Sequence, residues 1–312
     1  MPTLSHTSSL STTVSPVQAG KRSLINYSQN YLATAVAISF FFLSFFTESL
    51  FSFFTFSFLI AGFIFPGMAH GSLDYYLVVR SSNGKVNKRT ILFSYIGIIG
   101  LILAAWYISP LFVLMVFLLN SAYHFGETDL QHSTSYPMLR RLVYGILVLL
   151  FFFSSHSLEA QNYLSPFGIE FPVLNSSTAL IVCALLLISI AAILRYGVNL
   201  RNSMNVLLVL LIGTKLPLLL AFGIYYILVH STRAWNDLKE GLELPTASML
   251  KIAGPFTIAG ILFILFAGFL FQQSVTFHDQ PVPLIIMGLS AITLPHTISM
   301  SIFYRKLYKQ HE

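Results

Sequence analysis

Long apolar runs, separated by short polar stretches, occupy most of the chain from residue 30 onward. Crossing a bilayer takes an α-helix of about 20 residues, with about 17 as the practical lower limit. Most of the runs approach this length, and several are shorter. We predict an all-α, polytopic transmembrane bundle of about ten segments: 31–47, 50–70, 91–107, 111–125, 142–155, 178–194, 204–213, 216–230, 252–271 and 282–303.

The run at 204–213 is too short to span a bilayer alone. It forms a short helix, or half of a broken helix, or a single long bent helix together with the next run. Basic residues favour separate segments, because they concentrate in cytoplasmic loops. With ten crossings and a cytoplasmic N-terminus, every Lys and Arg except Lys215 lies inside. Merging the two runs would move the basic residues from Arg233 onward to the outer face. We therefore predict ten segments and cytoplasmic termini.

The polar ends of the chain differ from this apolar middle. Residues 1–29 are rich in Ser and Thr and contain no apolar run long enough for a secretory signal, so they are predicted to be a disordered cytoplasmic tail. Residues 30–305 are predicted to form a single transmembrane domain. Residues 306–312 are predicted to be a basic cytoplasmic tail.

Composition supports the membrane assignment and limits the partners. Hydrophobic residues make up 55% of the chain and charged residues 9%, which is too few to cover a soluble globule of this length. The net charge of +6 resides in short loops, where basic residues serve orientation, so no nucleic-acid partner is expected. The single cysteine, Cys183, excludes an intrachain disulfide.

Four histidines lie at or near the ends of apolar runs: His70, His124, His230 and His296. Their segments, the second, fourth, eighth and tenth, all run toward the cytoplasm, so the four imidazoles reach a similar depth. Histidine inside hydrocarbon is costly unless it is paired or ligated. We therefore predict one shared metal site. Neutral imidazoles suit Fe(II), Zn(II) or Cu(II), and ligand type alone does not choose among these metals.

Three carboxylates follow two of these histidines. Asp74 comes four residues after His70, and Glu127 and Asp129 follow His124. Metal-ligating histidines usually donate their second ring N–H to a carboxylate or a carbonyl. We therefore predict that the three carboxylates orient the histidines. The alternative is that they are ordinary charges at helix ends.

The segments around these histidines resemble those of a known family, the Brp/Blh-type bacterial membrane carotenoid oxygenases. The similar pieces run in the family's order and are residues 66–74, 121–129, 222–233 and 294–296. The resemblance implies an inner-membrane, multi-pass iron(II) enzyme that uses dioxygen to split the central double bond of β-carotene, giving two retinal molecules. It also implies that the four histidines bind the Fe(2+) cofactor.

Two positions depart from the family pattern. The first family motif commonly reads His-Gly-x-x-Asp-His, and Tyr75 stands in its last place here. The third motif commonly places a second histidine where this chain has Ala234. Because of these departures, an alternative function is retained: a membrane protein that acts on another carotenoid, or one that binds a carotenoid or retinoid without catalysis. A metal or proton transporter is less favoured, because the outer halves of the four segments are apolar.

The resemblance further implies a polyene substrate that enters from the bilayer between helices. Two tyrosines near the ligands, Tyr123 and Tyr225, are predicted to donate hydrogen bonds to bound oxygen. The predicted partners are the lipid-dissolved carotenoid, dioxygen and a rhodopsin that receives the retinal. The predicted substrate-lining residues are Phe65, Met68, Phe125, Phe222 and Tyr226.

Overall fold

The computed structural model describes residues 32–82, 85–130, 138–195, 198, 200–271 and 281–309. Within these ranges the regular secondary structure is entirely helical, which confirms the predicted fold class. The tail predicted at 1–29 lies outside the described residues. The principal helices are α1 Leu32–Leu43, α2 Glu48–Ser81, α3 Lys88–Ile108, α4 Pro110–Asp129, α5 Met138–Ser155, α6 Ser157–Leu164, α7 Ser176–Arg195, α8 Leu200–Gly213, α9 Leu218–Leu242, α10 Thr246–Phe271 and α11 Pro281–Lys309.

Each of the ten predicted apolar runs falls on one of these helices. Among the described residues, eight helices are long and apolar enough to cross a membrane, and α1 and α8 are shorter apolar helices. Many large apolar side chains on the outer surface are exposed, among them Phe45, Phe93 and Ile108. Soluble monomers rarely expose so much contiguous apolar surface, so this surface faces lipid. The chain is a multi-pass membrane protein.

The short segment α8 is a separate helix. A turn after Gly213 ends α8, and α9 begins at Leu218. Leu210 of α8 and Leu220 of α9 belong to the same buried core cluster. The stretch between α5 and α7 contains the helix α6, in which the Glu159 carboxylate accepts the backbone N–H of Leu218 at 2.9 Å. A carboxylate at a helix N-terminus satisfies an N–H that has no partner within the helix.

Helices α2 and α9 are each interrupted by a π-helical segment. In α2 the segment is Phe63–Met68, and Phe65 has extended φ and ψ angles. Pro66 explains the interruption, because proline lacks an N–H and disfavours helical geometry in the residue before it. In α9 the segment is Tyr225–Ser231. Such insertions are rare and occur frequently at functional sites. His70 follows the first segment, and His230 lies within the second.

Helices α4 and α5 approach each other at the level of their backbones. A Cβ atom at Gly126 would overlap the backbone carbonyl of Arg141, and one at Gly145 would overlap that of Ala122. Glycine is therefore required at both crossing points, as is common where membrane helices pack closely. At the other end of the chain, α11 continues to Lys309, so the residues predicted as a tail begin within this helix.

Candidate metal centre

Three histidines from three helices meet inside the bundle. His70 of α2, His124 of α4 and His296 of α11 are all buried, and their nearest ring nitrogens lie within 4.8 Å of one another. Imidazole nitrogens at this spacing are able to hold one metal ion. The structure thus brings together three of the four histidines for which a shared site is predicted.

The fourth predicted histidine, His230 of α9, lies against this group and is fully buried. The centre of its ring is 4.8 Å from that of His124 and 6.0 Å from that of His70. The ring of Phe125 covers His230 at a centroid distance of 4.7 Å. The four imidazoles therefore form one cluster, in which His230 is the outermost member.

In three of the four histidines, an oxygen faces the Nδ1 atom. The Nδ1 atom of His296 lies 2.9 Å from Asp74 Oδ1, and that of His70 lies 3.1 Å from the Pro66 carbonyl. The Nδ1 atom of His230 is 3.4 Å from Asp129 Oδ1. This arrangement leaves the Nε2 atom of each ring for a metal, as in many metal–histidine–carboxylate sites.

The remaining ring nitrogens also fit a divalent metal. The Nε2 atoms of His124 and His296 are 3.2 Å apart. Two nitrogens bound to one ion at about 2.1 Å and near a right angle lie about 3 Å apart. Among the described residues, the Nε2 of His230 is buried without a hydrogen-bond partner. Such atoms are costly unless something binds them. Zinc, copper, iron and nickel all accept imidazole ligands.

Asp74 and Asp129 are themselves held by tyrosines. Tyr95 donates its hydroxyl to Asp74 Oδ2 at 2.9 Å. Tyr225 donates to Asp129 Oδ2, and Tyr144 donates to the same oxygen at 3.4 Å. Asp74 shares a helix with His70 but faces His296, because the helix is interrupted by a turn at Ser72 and Leu73. Two of the three predicted carboxylates thus lie against histidines of the cluster.

The third carboxylate, Glu127, belongs to a different group. It accepts hydrogen bonds from Tyr123 at 2.9 Å, from Arg141 at 3.3 Å and from Ser301 at 2.6 Å. The prediction that Glu127 orients a histidine is therefore replaced by a role in joining α4, α5 and α11. The hydroxyls of Tyr123 and Tyr225, predicted to donate to oxygen, donate to carboxylates instead.

Removing the positive partner of Glu127 should destabilise the bundle. Glu127 is buried, and Arg141→Met would leave its carboxylate with hydroxyl donors but without the cation that contacts it. We expect a loss of about 1–3 kcal/mol, measured as a lower midpoint of thermal unfolding in detergent. Arg195→Met, at an exposed position on α7, is the matched control. Adding Glu127→Gln to Arg141→Met should recover much of the loss, and no recovery would contradict this explanation.

Most of the predicted lining residues surround the cluster. Phe222, Tyr226 and His230 stack along one side of α9, with centroid spacings of 6.1 and 6.0 Å and interplanar angles of 11° and 20°. Met68 and Phe125 are buried. Phe65 is 53% exposed on the outer surface, so its predicted lining role is not supported. The interruption at Pro66 accounts for this, since it changes the direction of the side chains before it.

The residues at the two positions that depart from the family pattern make apolar contacts. The ring of Tyr75 packs on that of Phe256 at a centroid distance of 5.6 Å. Ala234 is fully buried in an apolar cluster that includes Leu73 and Met300. Neither position adds a nitrogen donor. The described residues that form the centre are those of the four-histidine cluster.

The fold and this centre define a class, a polytopic helical membrane protein with buried histidines that could hold a metal ion. Residues 61–304 match the family model described as beta-carotene 15,15'-dioxygenase, and the chain belongs to that family. A curated beta-carotene 15,15'-dioxygenase from uncultured marine bacterium 66A03 is 24% identical over 259 residues, covering 77% of this chain and 91% of the relative. No solved structure matches the chain significantly.

Proposed function

We propose that the protein cleaves the central double bond of β-carotene with dioxygen. The C=C bond breaks, each of its carbons gains one oxygen atom as an aldehyde, and two molecules of retinal result. The observation that carries the proposal is the buried histidine cluster, within the span that matches the dioxygenase family. Iron(II), held by His70, His124, His230 and His296, would supply the activation of dioxygen.

The protein's own residues prepare a dry and rigid site. The buried histidines are fixed by the contacts of their Nδ1 atoms with Asp74, Asp129 and the Pro66 carbonyl. Phe125 covers His230 and keeps water from that side of the cluster. Excluding water strengthens the electrostatic interactions within a site and limits side reactions. The histidine side chains therefore need no reorganisation when the substrate arrives.

The aromatic stack on α9 is suited to a long polyene. Phe222, Tyr226 and His230 present nearly parallel rings that lead to the centre. Flat apolar rings bind a conjugated chain over its length without requiring a charged group. The stack would hold the central double bond at the cluster, which is the positioning that a cleavage at one bond requires. Met68 is buried and lies two residues before His70 in the sequence, and it would complete this lining.

The membrane surroundings suggest the route of substrate and product. Exposed apolar residues cover the outer surface of the bundle, so β-carotene would enter from the bilayer and retinal would leave into it. The concentration of Lys and Arg in alternate loops supports a cluster in the cytoplasmic half of a bacterial inner membrane. Retinal released there would be available to a rhodopsin in the same membrane.

A colour assay tests the proposed activity. Expressed in a β-carotene-producing bacterial host, the protein should remove the orange colour and accumulate retinal, measured by chromatography of the extracted pigments. The control is a His296→Ala variant expressed to the same level. Unchanged colour with iron bound would favour another carotenoid as substrate. Unchanged colour without iron would favour a carotenoid- or retinoid-binding protein.

A further inference from the structure

Two histidines of the cluster are each supported by the same kind of hydrogen-bonded chain, in which a tyrosine hydroxyl donates to an aspartate and the aspartate faces the histidine. We call each such chain an arm. In the first arm, Tyr95 donates to Asp74 Oδ2, and Asp74 Oδ1 lies 2.9 Å from His296 Nδ1. The second arm consists of Tyr225, Tyr144, Asp129 and His230. The arms come from different helices, so the common order does not result from a shared local sequence.

In each arm the two carboxylate oxygens of the aspartate contact different partners. One carboxylate oxygen receives the tyrosine, and the other faces the histidine. On Asp129, both phenols donate to Oδ2, and their own oxygens are 3.2 Å apart. Among the described residues, Oδ1 of Asp129 has no hydrogen-bond donor, although His230 Nδ1 lies 3.4 Å away and Arg233 Nη1 lies 4.0 Å away. The phenols thus hold Oδ2, and Oδ1 faces the imidazole and the Arg233 guanidinium.

The arms are buried where such contacts have a large effect. Asp74 and Asp129 are each 2% exposed, and Tyr144 and Tyr225 are fully buried. Hydrogen bonds to a carboxylate are roughly twice as strong as those between neutral groups, and a low dielectric strengthens them further. Arg233 adds to the anchoring of the second arm by donating to the backbone carbonyl of Asp129.

We propose that Tyr95, Tyr144 and Tyr225 are positioning residues that lock Asp74 and Asp129 so that His296 and His230 present Nε2 to a bound metal. The proposal rests on the metal-binding part of the proposed function and is independent of carotenoid cleavage. It also explains how His230, the outermost histidine, is oriented to act as a ligand. Without the second arm, no carboxylate would orient its Nδ1 atom.

Titration of metal-free protein with Co(II) in detergent tests the arms. The affinity and the visible absorption of bound Co(II), which reports coordination geometry, are measured together. We expect Tyr95→Phe and Tyr225→Phe to weaken Co(II) binding by about two- to tenfold and to change the absorption bands. Asp129→Asn should weaken it by about 10- to 100-fold, and it tests the second arm if Tyr225→Phe does not fold. Tyr163→Phe, on α6, is the matched control and should bind like the wild type.

A double-mutant cycle separates positioning from general stability. In a His230→Ala background, Tyr225→Phe should have no further effect on Co(II) affinity, whereas Tyr95→Phe, which acts through His296, should still weaken binding. An equal effect of Tyr225→Phe in both backgrounds would overturn the positioning role. Wild-type affinity and absorption in both the Tyr95→Phe and the Tyr225→Phe variant would also overturn it.

The outcomes for the arms and for the cleavage reaction are distinguishable. Co(II) binding that depends on the tyrosines, in a protein that leaves β-carotene intact, would reject carotene cleavage and support the arms. A protein that consumes β-carotene but binds Co(II) equally well in the wild type and every arm variant would support cleavage and reject the arms.

Discussion

Replacing His70, His124 or His296 by alanine should abolish metal binding. Their ring nitrogens meet within 4.8 Å, and each alanine would remove one ligand from a site with few alternatives among the described residues. Changing a group that only supports a ligand commonly costs 10- to 100-fold in metal affinity, so losing a ligand should cost more than about 100-fold. Purified wild-type protein should contain about one iron per chain, and each variant about none, as measured by elemental analysis.

His156→Gln is the matched control for these variants. This buried histidine lies at the start of α6, and its Nε2 is 2.7 Å from the Leu216 carbonyl, so its contacts are structural. His156→Gln should keep its iron through purification. His230→Ala, which keeps the other three histidines, should lose its iron during purification but still bind added Co(II) with reduced affinity. Iron retained after all four cluster histidines are replaced would exclude this centre.

Adding a methyl group at Gly126 or Gly145 should prevent normal packing of the bundle. In both cases the new Cβ would overlap a backbone carbonyl of the facing helix, which has no side chain that could turn aside. Overpacking a tight site costs about 1–3 kcal/mol, and an obstruction by backbone falls at or above the upper end of this range. Gly126→Ala and Gly145→Ala should therefore give little folded protein, measured by monodisperse yield and the thermal midpoint in detergent.

Helix α3 offers controls for the glycine variants. A Cβ added at Gly97 or Gly100 would meet nothing within 4 Å. Alanine also has a higher helix propensity than glycine by about 1 kcal/mol. Gly97→Ala and Gly100→Ala should leave yield and thermal midpoint unchanged or slightly raised. Similar losses at all four positions would show that the contact between α4 and α5 is not the cause.

The helical bundle is predictable from the amino-acid sequence because hydrocarbon imposes a simple rule. Backbone polar groups in lipid must be satisfied internally, so each apolar run of sufficient length becomes a helix. The same rule makes intramembrane histidines conspicuous, and it singles out His70, His124, His230 and His296 by their places in apolar runs. The separation of α8 from α9 is also predicted, from the distribution of Lys and Arg among the loops.

The contacts between side chains within the centre cannot be predicted from the sequence, because they depend on departures from regular α-helix. Tyr225 and His230 are five residues apart, which places them about 140° apart around an α-helix. The wider turn of a π-helix, with hydrogen bonds between residues five apart, brings the two toward a common side, and both reach Asp129. No pattern of apolar residues indicates where one turn will widen.

The contributions of Arg141 and Tyr144 are not predicted by hydropathy for a related reason. Both residues occupy the first turns of α5, where hydropathy shows only the boundary of an apolar run. A useful signal lies in Glu127 and Asp129, two carboxylates at the end of an apolar segment. Buried carboxylates require donors. An arginine and a tyrosine three residues apart on the next helix are suitable donors, and this spacing is visible in the sequence.

The positions of the cluster histidines along the chain have a consequence for how the protein is made. Asp74 and His296 are 222 residues apart in sequence, and α11 is the last helix described. The centre is therefore complete only after α11 has been synthesised and inserted. An ion that binds the assembled bundle but not the partly inserted chain stabilises the assembled state by mass action. Metal supply would then control how much of the newly made protein survives, as well as how much is active.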